Sequence, residues 1–258
     1  MAGDRGLLVA SAAMTTTAEV VTHVQTIAEA LERMAEIGDM VEVDPDDPRP
    51  PPPLDGLVCF NHLYTRVTRE VDAGVKSGRF GDGVFMTALD VAFANRYFDA
   101  IAAWDETRSE DVPRVWGILL DRRHRPGIAS IQFAVAGVNA HINLDLAVAL
   151  VHTCRSLGVP LDFGEQRKQY EEINNIFNTL FASLREDFTS GRFEQLDKDE
   201  VERLLDRVSR FVVVKARDFA WMTAEELDKH WEREGQPGAN SFANLLDMGS
   251  ALAAHLLI

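Results

Sequence analysis

Three ionisable side chains stand where a helical core should be apolar: Asp90, His141 and Asp145. Asp90 lies in Leu89-Asp90-Val91-Ala92-Phe93-Ala94-Asn95-Arg96-Tyr97. A helix turns about 100° per residue, which puts Asn95, Arg96 and Asp99 together on one side. Asp90 falls instead among Met86, Phe93, Ala94, Tyr97 and Ile101. A carboxylate on that face must be neutral, hydrogen-bonded or bound to a metal, because burying it charged and unpaired is costly. It is either a structural acid paired with an arginine or a helix N-terminus, or a working acid in a site.

The segment 132–154 carries two polar stripes on an otherwise mainly apolar helix. His141, Asp145 and His152, at i, i+4 and i+11, make one. Gln132, Asn139 and Asn143 make the other. His and Asp one turn apart can hold a metal together or act as an oriented acid–base pair. A buried hydrogen-bond network that fixes helix register is the structural alternative. His152 lies about 10 Å beyond Asp145 by helical rise, too far to join His141 as a ligand. A divalent metal held by Asp90, His141 and Asp145 would have few nitrogen ligands and several oxygens, which suits Mg, Mn or Fe better than structural zinc. The metal-free version is preferred, since the chain shows one well-placed histidine. There Asp145 or Asp90 orients His141 for proton transfer. The catalytic candidates are therefore Asp90, His141 and Asp145, with no metal ligand assigned and no cofactor expected.

Substrate-orienting candidates come from polar groups at the edge of apolar faces. They are Asn61 and Tyr64 on one helix, Tyr97 near Asp90, Asn139 and Asn143 on the second stripe, and Asn174 beside Tyr170, Ile173 and Phe177. His62 projects away from its helix's apolar face and is expected to be exposed. Glu171 and Glu172 are expected to solvate an outer face. H-E-x-x-H, a Walker loop, G-x-G-x-x-G and G-x-S-x-G are all absent from the sequence. No pair of Glu-x-x-His motifs suggests a ferritin-like di-iron site.

The elements that must position these residues read as helices throughout. Apolar spacing of three and four predicts helices over 17–38, 57–76, 84–104, 112–120, 130–157, 165–188, 198–221 and 240–257. Asp55 is expected to cap the helix at 57, and Pro113 to sit in a first turn. Thr223 with Glu226 reads as a capping box opening a helix over 224–231. Segments 84–104 and 130–157 are apolar nearly all round and are expected at the centre. The fold expected is all-α, a single irregular multi-helix bundle with central apolar helices. The organisation expected is a disordered extension over 1–16, an N-terminal helix within 17–43, a proline-rich connector over 44–54 and a helical core domain over 55–258. The connector holds six prolines, four of them consecutive at Pro50–Pro53, so it cannot be helix.

A chain of 258 residues with a 46% hydrophobic fraction can bury a large core. The net charge of −15 comes with no basic stripe, which disfavours nucleic acid and anionic membrane surfaces as partners. Apolar runs are expected to break before the ~18 residues a membrane span needs. Cys59 and Cys154 form no disulfide framework and are read as buried small apolar residues in a reducing compartment. A soluble, cytoplasmic protein is expected.

Three strings are similar to a known family: Asp55-Gly56-Leu57-Val58-Cys59-Phe60-Asn61-His62-Leu63-Tyr64, the segment 89–97 quoted above, and Asn139-Ala140-His141-Ile142-Asn143-Leu144-Asp145-Leu146. Together they resemble bacterial helical proteins, common in actinobacteria, catalogued as a domain of unknown function. The resemblance covers residue 55 to the C-terminus, and N-A-H-I-N-x-D-L is its most specific piece. It implies a helical fold and no established activity. The function expected is a small-molecule enzyme of bacterial specialised metabolism. It would do acid–base chemistry of cyclase, hydro-lyase or hydrolase type in a pocket between helices. A non-catalytic binder of an apolar ligand, a metal-dependent version of the same site, and an interaction module using the acidic surface and Pro50–Pro53 are the alternatives.

Overall fold

The computed structural model describes residues 23–39, 55–104, 112–162, 164–189 and 210–258. The expectations for 1–16, 17–22, the connector 44–54 and the start of a helix at 198 lie outside them. The helices are α1 (Ile27–Asp39), α2 (Gly56–Lys76), α3 (Val84–Ala103), α4 (Arg114–Arg122) and α5 (Ser130–Ala140). A π-turn over His141–Asp145 joins α5 to α6 (Leu146–Leu157), and α7 (Glu165–Thr189) and α8 (Arg210–Leu257) follow. No strand occurs among the described residues, and the molecule is an all-α bundle.

Local chemistry sets where the helices begin. α1 starts at Ile27, later than the apolar period suggests, because Thr26 Oγ1 accepts from the Glu29 amide at 3.1 Å and closes a first turn there. Ahead of it, Val24 is held off helix by Asn95, which accepts from its amide (2.8 Å) and donates to its carbonyl (2.9 Å). Asp55 caps α2 as expected, accepting from the Leu57 amide at 2.8 Å. α4 has Pro113 at its cap and no capping side chain of its own. Asp247 of α8 supplies one, accepting from the amides of Arg114 (2.9 Å) and Val115 (3.0 Å).

The central rod is Ser130–Leu157, which runs through α5, the π-turn and α6. Helices α2, α3, α4 and α8 pack round it. Its 18-residue window of mean hydropathy 1.5 is long and apolar enough to cross a membrane by composition, contrary to the expectation that apolar runs break sooner. Of that window, 78% is buried by the rest of the molecule, so the hydropathy belongs to a core helix. The approach of α2 to α5 depends on Gly137: a Cβ there would lie 2.3 Å from the Phe60 ring. Phe60 can therefore lie directly against the rod, where it meets His141 edge-on at 5.5 Å between ring centres.

The C-terminal third corrects the sequence reading. Thr223 does not open a helix. α8 runs through it, Thr223 is buried, and Glu226 pairs with Lys229 at 2.6 Å. Val213, Ala220, Trp221, Ala224 and Leu227 keep one face buried across the supposed break, so packing continues the helix. The chain bends instead at Gly235, whose φ of 67° and ψ of −162° leave the helical region, two residues before Pro237. Cys59 and Cys154 are both buried, and burial pushes Cys154 up to about 11.

Candidate functional site

The site begins with the π-turn. Leu146 donates its amide to the carbonyl of His141, an i→i+5 bond that spends one extra residue on the turn. That sets the rod back by roughly one residue's rotation, ~100°. His141 and Asp145 stay inside, while His152, on the same stripe in a continuous α-helix, comes out exposed against the edge of Trp231.

Asp145 is wholly buried. Its Oδ2 accepts from the Trp116 indole at 2.9 Å and from His141 Nδ1 at 3.1 Å. Indole can only donate, so Oδ2 is an acceptor, Nδ1 carries the imidazole proton and Nε2 is left with its lone pair. On the far side of the carboxylate, Arg96 Nε stands 3.7 Å from Oδ1, an ion pair too long for a hydrogen bond. Burial holds the His141 pKa below the usual value and Arg96 adds to the lowering, while Asp145 opposes both. The ring is neutral near pH 7. Phe93 stacks on it at 3.4 Å between centres and 12° between planes, and Tyr64 meets its edge at 4.4 Å.

His141 lines a cavity of about 60 Å³ with side chains from α2, α3, α5, α6, α7 and α8. By volume it holds a few waters or a small ligand. Asp90 and Tyr64 line it too, so the two halves of the sequence-derived site share one space. Two of the three keep a buried polar atom without a hydrogen-bond partner among the described residues, His141 Nε2 and Asp90 Oδ2, while the Tyr64 hydroxyl lies beside the Thr68 hydroxyl. Burial pushes Asp90 from 3.8 to about 7, with a smaller contribution from Asp72. Burial and then the charge of Asp90 push the Tyr64 phenol well above its ordinary range. The remaining lining is largely Leu, Val, Ile, Met and Phe.

The other candidates lie elsewhere. Asn61 does not line this cavity. It donates to the Met34 carbonyl at 2.7 Å and accepts from the Tyr97 hydroxyl at 3.4 Å, tying α1, α2 and α3 together. Tyr97 is likewise outside the lining. Asn139 donates to the Ser250 carbonyl (2.9 Å), Asn143 to Asn139 Oδ1 (2.9 Å) and Gln132 to the Leu257 carbonyl (2.8 Å). That second stripe fastens the rod to the end of α8. Asn174 accepts from Arg217 at 3.1 Å. His62 is not freely exposed as expected, because it meets Asp187 at 3.0 Å with a third of its side chain accessible. Glu171 and Glu172 do lie outward, where they bond Arg167 and Arg79.

Sequence reasoning passed over Trp116, Arg96 and Arg217. Arg217 is buried and lines the cavity. Its position four residues from both Val213 and Trp221, on the buried face of α8, is the signal that marks it. Among the described residues, no three His, Cys, Asp or Glu side chains stand close enough to hold one metal ion.

The family described as a family of unknown function, DUF5995, matches residues 27–258, and the chain belongs to it. No curated protein and no solved structure matches the chain.

Proposed function

We propose that the protein is a small-molecule enzyme that moves protons on a small, mainly apolar substrate held in the cavity beside His141. The observation that carries this reading is the state of the imidazole. Nδ1 is committed to Asp145, Nε2 is buried without a partner, and the ring lines a cavity. Asp145 fixes tautomer and orientation, which leaves Nε2 as the base. Asp90, raised to about 7, carries its proton through much of the neutral range and is the matching acid. Opposite displacements of two neighbouring titrating groups mark acid and base roles. Loss of water from a hydroxylated substrate illustrates the fit. Nε2 would take a carbon-bound proton, the electron pair would form the double bond, and Asp90 would protonate the departing hydroxide.

The test needs no prior substrate. Purified protein is incubated with a small-molecule extract of cells, and all metabolites are followed by mass spectrometry. Wild type should convert at least one metabolite, and His141→Gln and Asp90→Asn should each slow that conversion by about 10²–10⁴-fold, the usual worth of a positioned acid or base. Conversion indifferent to both substitutions would sink the reading. The apolar lining favours one second reading, a carrier of an apolar ligand without chemistry. It predicts a metabolite that co-purifies unchanged.

A further inference from the structure

Arg217 is the one Arg or Lys among the described residues lining the cavity beside His141, and it is only 5% exposed. Its Nε donates to Asn174 Oδ1 at 3.1 Å and its Nη2 to the Tyr170 carbonyl at 2.7 Å. Its guanidinium lies 4.1 Å over the Tyr170 ring. All these partners are neutral. Other arginines are treated differently: Arg66 pairs with Asp187, Arg155 with Asp228, and Arg167 with Asp218. The carboxylate next to Arg217 in sequence, Asp218, is taken by Arg167 and Lys215. Asp90 shares the cavity but forms no ion pair with Arg217. Among the described residues no carboxylate comes within ion-pair distance of Arg217, and Asp218 acts on its charge only from further off. A buried guanidinium held by neutral acceptors is costly unless a close partner of opposite charge is supplied.

We propose that the counter-ion is the substrate, and that the cavity takes a small monocarboxylate whose carboxyl group seats on Arg217. The substrate class rests on the reading of the cavity as a small-molecule site. A planar guanidinium fork matches a carboxylate in two parallel hydrogen bonds. A single cation matches a monoanion better than a phosphate dianion. The apolar walls take a short hydrocarbon body, and the about 60 Å³ available limits its length. His141 and Asp90 then face the carbon chain rather than the carboxylate, where a base can reach carbon-bound protons. Arg217 binds and positions the substrate, and the proton is moved by the other two.

The whole protein is titrated by calorimetry with butyrate, hexanoate and benzoate, with their uncharged amides, and with inorganic phosphate. At least one acid should bind tenfold or more tightly than its own amide and than phosphate. Arg217→Met should abolish that preference while leaving the amide's affinity unchanged. If Arg217→Met does not fold, Arg217→Lys decides: it keeps the charge but not the fork, and should weaken the acid at least threefold without affecting the amide. The proposal is overturned if no acid binds, if acid and amide bind alike, if phosphate binds as well as the best acid, or if the preference survives in the variant. Failure of the catalytic reading looks different. In that case acid binding depends on Arg217, but no metabolite conversion depends on His141.

Discussion

The two polar stripes of the central rod have the same kinds of neighbours and opposite fates. Gln132, Asn139 and Asn143 each spend their donors on an acceptor, mostly backbone carbonyls of α8. His141 and Asp90, which face the same cavity, each leave a buried polar atom without a partner among the described residues. Buried polar groups in native proteins are nearly always satisfied, and the unpartnered atoms on this cavity are the ones the proposed substrate would meet. Polarity in an apolar helix therefore does not distinguish scaffold from site.

The hardest way to break the comparison is to remove Asp145, the group on which the site side rests. Asp145→Ala takes the acceptor from both Trp116 Nε1 and His141 Nδ1 and leaves Arg96 facing an empty buried position. Breaking a buried charged network from one side costs about 3–5 kcal/mol. Denaturant unfolding should show a loss of that size, and a loss below about 1 kcal/mol would mean that the carboxylate is not holding the imidazole.

Asp90 should behave in the opposite sense. Its folded-state value of about 7 lies above the 3.8 of an unperturbed carboxyl. Between those values the folded state binds the proton and the unfolded state does not, so stability falls as pH rises from about 4 to 7 and levels off above. The full shift amounts to at most about 4 kcal/mol. Asp90→Asn, which cannot ionise, should flatten this slope and be more stable than wild type at pH 8. Melting curves of both proteins at pH 5, 6.5 and 8 check it, and parallel curves would contradict it.

A smaller effect should come from the other stripe. Asn139→Ala strands the Ser250 carbonyl and frees Asn143 from its acceptor, a loss of about 1–3 kcal/mol. It should leave the affinity for carboxylate probes and any His141-dependent conversion within twofold of wild type. A large loss of either, with little change in stability, would move Asn139 from the scaffold to the site.

These contrasts also show what the sequence could and could not carry. Helices and their buried faces were legible because apolar period and burial have one cause. Asp90, His141 and Asp145 were legible because they interrupt that period. The phase of the rod beyond His141 was not, since one i→i+5 turn leaves no mark in residue types and carries His152 out to solvent. The roles of Asn61 and Asn139 depend on carbonyls 27 and 111 residues away, which no local pattern encodes. Arg217 was passed over because an arginine between Lys215 and Asp218 reads as a solvated face until Tyr170 and Phe177 are seen to cover it.

The finest test reads the proton on His141 itself. Its folded-state pKa is lowered, by burial first, so in the window below the ordinary 6.5 the unfolded state binds a proton that the folded ring refuses. Stability contributed here rises with pH and is lost on acidification, opposite in sign to the Asp90 slope. Nitrogen-detected NMR of the imidazole should show Nδ1 protonated and Nε2 bare at pH 7, with titration starting below 6.5. His141→Gln should remove the acid-side loss of stability while Asp90→Asn leaves it in place. A ring found protonated on Nε2 at pH 7 would reverse the hydrogen bond to Asp145 and take away the free lone pair. The two stripes would then differ only in how well they are hydrogen-bonded, not in what they are for.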